Sequence, residues 1–300
     1  MSLKLREKRI NLISKKWKLK KAHSLITRYK IEEGFFEEFK FSVKLYISKA
    51  LNITYEKDDK LFIKNIDKAR KNRTNITPNG AVVPKREYHL EYNIVIRNWC
   101  ELVRRIIEPS PKLLKLFRIT PNIRIKFGDE LKDNKNRGLS TSLPHSDAWV
   151  EGPWGMNCFI PFFGDIKNNN LKYYEPKKGN FKDEFLRTSS TYKRMQWVMN
   201  SYKPIKNFYP KSGYVNISDY ASVHNTERKK NCGTRVSIDT TFFVGNYLPH
   251  RDRLKEYTKT IPDIGITKFI DSGQYQSKKF VKKISTFSHY TSKVLRLIKF

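Results

Sequence analysis

Apolar residues recur at helical spacing in the first third of the chain and then change period. Ile10, Ile13 and Trp17 step by three or four within a Lys/Arg-rich stretch, which predicts a basic amphipathic helix in residues 1–31. A second helix is expected from about Phe35 to Ala50. Lys71 to Pro84, rich in Asn, Thr, Pro and Gly, reads as a linker. Tyr92, Val95, Trp99, Leu102 and Ile106 then mark a helix over about Glu87 to Ile107, stopped by Pro109 and Pro111.

From Pro121 onward the pattern is that of strands. Asn122 to Phe127 alternates, Met156 to Phe163 is an apolar run bounded by Gly155 and Gly164, and Tyr214 to Ile217 and Arg235 to Val244 follow. Short strands with polar connections suggest a jelly roll or barrel. Helical spacing returns at Phe280, Ile284, Phe287, Val294 and Ile298, scattered among lysines. The chain thus divides into a basic helical N-terminal region (1–80), a β-rich domain with a leading helix (81–247) and a basic C-terminal helical extension (248–300).

With 300 residues, 38% hydrophobic and 13% aromatic, the chain can bury a real core. Cys100, Cys158 and Cys232 are odd in number and far apart, which excludes a disulfide framework or zinc knuckle and fits a reducing compartment. No apolar run suits a signal peptide or a transmembrane segment, so a cytoplasmic protein is expected. The formal net charge of +32 favours anionic partners, nucleic acid or a membrane surface at the basic ends among them. Lysine excess with abundant Asn and Ile also follows from AT-rich coding, so charge alone assigns no chemistry.

Chemistry enters at Leu143-Pro144-His145-Ser146-Asp147, just ahead of the apolar strand. In extended backbone, residues two apart point to one side, so His145 and Asp147 can present an imidazole nitrogen and a carboxylate to one point. These are two members of a 2-His-1-carboxylate facial set, which suits non-haem Fe(II) and leaves positions open. A second His-x-Asp, at His250 and Asp252, has flanks that look like a turn opening a helix and is expected to cap it. The later segment Ser212 to His224 is followed by a polar turn, Asn225 to Arg228, and then by Arg235 across a hairpin-like connection. Arg235 can hold a distal carboxylate as a planar fork, and Ser237 shares its face. Asn157 is a candidate pocket contact on the apolar strand, where Phe159 reads as core and Arg124 as a solvated edge charge. Tyr173, Tyr174 and Glu175 precede Pro176 on the segment after the apolar strand.

His-x-Asp, a distal His, and Arg eleven positions later followed by x-Ser resemble the Fe(II)/2-oxoglutarate dioxygenase superfamily. The His-to-Arg spacing is similar to its phytanoyl-CoA dioxygenase-like branch, and the phrase TRVSIDTTF resembles oxygenases of carbohydrate and antibiotic biosynthesis clusters. The resemblance covers roughly residues 120–245. It implies a double-stranded β-helix core (jelly roll, cupin-like), His145, Asp147 and His224 as iron ligands, and Arg235 as the 2-oxoglutarate anchor. It further implies Ser237 and Thr226 as supporting co-substrate contacts, O2 as oxidant, and a small-molecule or glycan substrate. Tyr214, where many relatives have Asp, and Asn225, where they have a small residue, depart from the pattern. Two other readings stand beside it: an inactive jelly-roll binding module with basic ends, and a dioxygenase acting on nucleic acid. The second ranks lower because no zinc finger or aromatic-rich RNA motif is present.

Overall fold

The computed structural model describes residues 3–70, 75–77, 79–84, 88–128, 144–148, 155–177, 200–219, 221–245 and 257–258. The expected C-terminal helix and the His250–Asp252 motif lie outside these residues. Among the described residues there are four α-helices: α1 (Leu3–Lys16), α2 (Glu33–Leu51), α3 (Asp59–Ala69) and α4 (His89–Ile107). Local chemistry sets their ends. The Glu32 carboxylate accepts from the amides of Gly34 and Phe35 to start α2, and Asn52 ends it in the left-handed region at φ 52°. Asp58 caps α3 in the same way, through the amide of Leu61. Phe35, Phe39, Val43, Tyr46 and Ile47 form the buried stripe of α2.

The described residues also form eleven strands, the first two lying between α1 and α2: β1 (Lys20–His23), β2 (Ile26–Lys30), β3 (Leu114–Arg118), β4 (Asn122–Lys126), β5 (Met156–Gly164), β6 (Asn169–Pro176), β7 (Tyr202–Pro204), β8 (Tyr214–Asp219), β9 (Val223–Arg228), β10 (Arg235–Val244) and β11 (Tyr257–Thr258). They form two antiparallel sheets. The larger runs β1-β2-β8-β5-β10-β3-β11, with β4 also paired to β10; the smaller runs β7-β6-β9. The ten-residue β10 lies along β5 on one edge, while its other edge is shared. Arg235 to Asp239 pair with Lys126 to Asn122, and Phe242 to Val244 pair with Phe117 to Leu114.

Sheet-rich architecture with flanking helices matches the expectation, and β4, β5, β8 and β10 fall on the four segments read as strands. One face of the large sheet packs on the helices: Ile10, Ile13, Trp17, Phe39, Trp99, Val236, Ile238 and Phe242 belong to one apolar core. Trp17 meets Phe242 edge-on at 5.4 Å between ring centroids, and its indole N–H donates to the Ser110 carbonyl.

Three expectations are corrected. The basic N-terminal stretch is helical only to Lys16; Lys20–Lys30 form a hairpin whose second strand joins β8. Asn225 to Arg228 are strand rather than turn, because β9 pairs with β6 from Tyr174↔Val223 to Asn169↔Arg228. The link from His224 to Arg235 is therefore not hairpin-like: it leaves the small sheet and enters the large one. In each case a partner strand supplies the backbone hydrogen bonds that composition alone does not reveal.

Candidate metal and anion site

The two histidines are fastened to each other through their backbones. The His145 amide donates to the His224 carbonyl at 2.9 Å, and the His224 amide donates back to His145 at 2.8 Å. This isolated bridge sets the segment carrying His145 against the start of β9. Their rings lie 4.6 Å apart between centroids. After the bridge the chain turns at Asp147 rather than staying extended, and the side chains still converge. His145 Nε2 is 3.9 Å from Asp147 Oδ1, and His224 Nε2 is 3.7 Å from Asp147 Oδ2. One potential ligand atom from each of the three residues lies within 4.8 Å of the others.

Surrounding contacts orient this set. The Nδ1 of His224 lies 3.1 Å from the Ser222 carbonyl oxygen, so an Nδ1–H tautomer leaves the Nε2 lone pair toward Asp147. Asn157 Nδ2 donates to Asp147 Oδ2 at 2.6 Å. Buried Tyr173 sits opposite His224 in the β6–β9 ladder, with its ring 5.9 Å away. Burial pushes the Tyr173 phenol well up from its ordinary value, so it stays neutral.

The three residues line a cavity of about 200 Å³ between the sheets. Thr226 from β9, Asn157 and Phe159 from β5 and Arg235 from β10 line it too. Arg235 is only 1% exposed. Its Nη1 donates to Asn170 Oδ1 at 3.3 Å, its plane lies over the Phe159 ring at 5.1 Å, and its Nε has no partner among the described residues. Burial, opposed by Asp239, lowers the guanidinium pKa below the ordinary arginine value. Lys126, its direct neighbour in the β4–β10 ladder, is pushed well down by burial and by Arg124 and Arg235. Two adjacent buried cations are costly unless an anion joins them.

Most of the sequence-derived candidates meet here. His145, Asp147, His224, Thr226, Asn157 and Arg235 share the cavity, whereas Ser237, on the same face of β10, is fully buried and does not line it. Phe159 is buried as expected, yet belongs to the cavity wall rather than the helix-side core. Arg124 is not a solvated edge charge: its guanidinium is ion-paired with Asp239 inside the cavity. The Arg124 pair also holds Asp239 below the ordinary carboxylate range, despite burial. Arg118, Lys126 and Asp239 were not singled out from the sequence. The signal lay in β4, where Asn122, Arg124 and Lys126 alternate with Ile123 and Ile125; such a polar face ordinarily means solvent.

No helix among the described residues is long and apolar enough to cross a membrane. No family model matches the chain, and no curated protein matches its sequence. Among solved structures the chain is similar to AviO1 from Streptomyces viridochromogenes Tue57, with 12% identity over 80% of this chain and 96% of that one, and a TM-score of 0.44. It is similar to a novel N-substituted L-amino acid dioxygenase from Burkholderia ambifaria AMMD, with 11% identity over 80% of this chain and 88% of that one, at a TM-score of 0.39. A third is the non-heme alpha ketoglutarate dependent carbocyclase SnoK from nogalamycin biosynthesis, with 10% identity over 73% of this chain and 79% of that one, at a TM-score of 0.38. Likeness at this level transfers no residue roles, which leaves the cavity's own geometry as the ground for its chemistry.

Proposed function

We propose that the protein is a non-haem iron(II) and 2-oxoglutarate-dependent dioxygenase on a double-stranded β-helix core, hydroxylating a small-molecule or carbohydrate-type substrate. The observation that carries this reading is one cavity wall holding two imidazoles and a carboxylate within 4.8 Å, with a buried guanidinium lining the same space. Two neutral nitrogens and one carboxylate oxygen fit iron(II), and a three-ligand set leaves coordination positions for a co-substrate. An oxygen-only set would favour calcium or magnesium instead.

In this reading His145, Asp147 and His224 hold the metal through Nε2, a carboxylate oxygen and Nε2. Iron(II), 2-oxoglutarate and O2 together supply the oxidising power for a substrate C–H bond, with release of succinate and CO2. The chain supplies position and charge. Arg235, steadied by the Phe159 face and Asn170, receives the distal carboxylate as a fork; Lys126 adds a second cation beside it. Thr226 offers a hydroxyl within the same cavity. Asn157 fixes Asp147 Oδ2, so that Oδ1 is presented in one orientation. The organisation we infer is a basic N-terminal region (1–80), the catalytic domain (81–247) and a basic extension (248–300), in a cytoplasmic protein.

Aerobic incubation with Fe(II) and 2-oxoglutarate tests the proposal through succinate. Slow substrate-independent succinate formation is expected, absent without iron and in Asp147→Ala. Succinate at background level with the wild type across sugars, acyl thioesters and amino acids would refute it.

A further inference from the structure

The basic N-terminal helix turns two of its cations inward. Arg6 is fully buried and Arg9 nearly so, whereas Lys4, Lys8, Lys15 and Lys16 of α1 face outward. Burying a guanidinium under a surface helix is costly unless a carboxylate meets it. Asp219, the last residue of β8, does so. Arg6 Nε donates to Asp219 Oδ2 at 2.6 Å, and both side chains are inaccessible. Arg9 Nη1 approaches Asp219 Oδ1 at 3.9 Å.

Asp219 stands where the chain leaves the large sheet for the small one, and its polar atoms shape that crossing. Its Oδ2 also accepts from the Ala221 amide at 3.1 Å, and its carbonyl accepts from the Ser222 amide at 2.9 Å. Arg6 Nη2 reaches Ser222 Oγ at 3.5 Å. The Ser222 carbonyl in turn takes the His224 Nδ1–H at 3.1 Å, leaving Nε2 to face Asp147 Oδ2 at 3.7 Å. One helix side chain, 213 positions before Asp219, thus holds the turn that presents a metal-binding nitrogen. Apolar contacts alone would anchor α1 more cheaply; a charge-assisted bond to the turn fixes direction as well as distance.

We propose that Arg6 is a positioning residue for the metal centre: through Asp219 and the Ser222 carbonyl it sets the ring orientation and the Nδ1–H tautomer of His224. On this account α1 belongs to the catalytic unit and is not a basic appendage. The inference rests on the reading of His145, Asp147 and His224 as metal ligands and adds an outer support to it.

The test measures Fe(II) affinity of the full chain by anaerobic competition with a metal chelator, alongside the denaturant midpoint. Arg6→Met should weaken Fe(II) binding about tenfold, the low end for outer partners of a metal-bound histidine because one further link intervenes. Arg9 remains near Asp219 in that variant, so the carboxylate keeps a cation. Arg6→Lys retains the charge without the planar fork and should recover part of the affinity. Leu102→Ala, in the same apolar core but on α4, should lower the midpoint and leave Fe(II) affinity at the wild-type value. Wild-type affinity in Arg6→Met, or an equal loss in Leu102→Ala, overturns the inference. Should Arg6→Met not fold, Arg6→Lys decides: affinity below the wild type upholds the role, and equal affinity overturns it. A wild type that binds Fe(II) but gives no charge-transfer band with 2-oxoglutarate removes the dioxygenase reading and leaves this inference standing. A wild type that takes up no Fe(II) removes both.

Discussion

Along β10 the side chains of Val236, Ile238 and Phe242 enter the apolar core under the helices, whereas Arg235, Asp239 and Thr241 line the cavity. Both faces are almost equally inaccessible, yet they obey opposite economies. The helix-side face gains free energy from every methylene removed from water. The cavity face gives some back, because it buries the Arg235 guanidinium and the Lys126 side chain for a ligand the protein must bind from solution. The lesson is that low exposure on this strand does not by itself mean stability: alternate residues support the fold and the ligand.

Four perturbations separate the faces, in descending order of expected effect. Ile238→Ala should lower unfolding free energy by about 2–5 kcal/mol, read from the denaturant midpoint at unchanged slope, since it opens a hole in the core. A loss under 1 kcal/mol would blur the distinction. Arg235→Met should do the reverse on stability. Replacing an isolated buried charge by an apolar chain of similar volume should leave the ligand-free protein as stable or about 1 kcal/mol more so, with 2-oxoglutarate affinity down about 100-fold. A fall in both would mean that Arg235 is structural.

Asn157→Ala should weaken iron affinity about 10- to 100-fold, measured by competition with a metal chelator, with overall stability changing less than for Ile238→Ala. Unchanged affinity would show that the 2.6 Å contact to Asp147 is incidental. The gentlest test is pH. Lys126 has its free-state pKa pushed well below the ordinary lysine value, and only its protonated form attracts an anion. Affinity for 2-oxoglutarate should therefore fall as pH rises, starting below the ordinary lysine range, because the proton must first be regained. Lys126→Met should flatten that profile; affinity rising with pH would contradict the assigned role.

What the sequence disclosed follows from where the two faces differ. Helical spacing around Trp99 and alternation along β10 are direct consequences of the core, so they could be read without a structure. His145, Asp147 and His224 were legible because their chemical types are rare and ordered along the chain. Lys126 and Arg118 were not, since a buried cation looks the same in sequence as a solvated one; only the small sheet packed across the cavity distinguishes them. β9 escaped for a related reason. Asn225 to Arg228 have turn-like composition, and the pairing with β6 overrides it. Ser237 shows the limit of face-sharing rules: parity placed it beside Arg235 correctly, but parity carries no information about what lies on top.

The most direct trial is an anaerobic titration of the purified chain with Fe(II), followed by 2-oxoglutarate, monitored in the visible region. A weak charge-transfer band should grow to one equivalent of each, and should be absent in Asp147→Ala and recovered only at far higher co-substrate in Arg235→Met. A wild-type protein that takes up iron without any such band on adding 2-oxoglutarate, or a band that survives in Asp147→Ala, would contradict the assignment of the cavity.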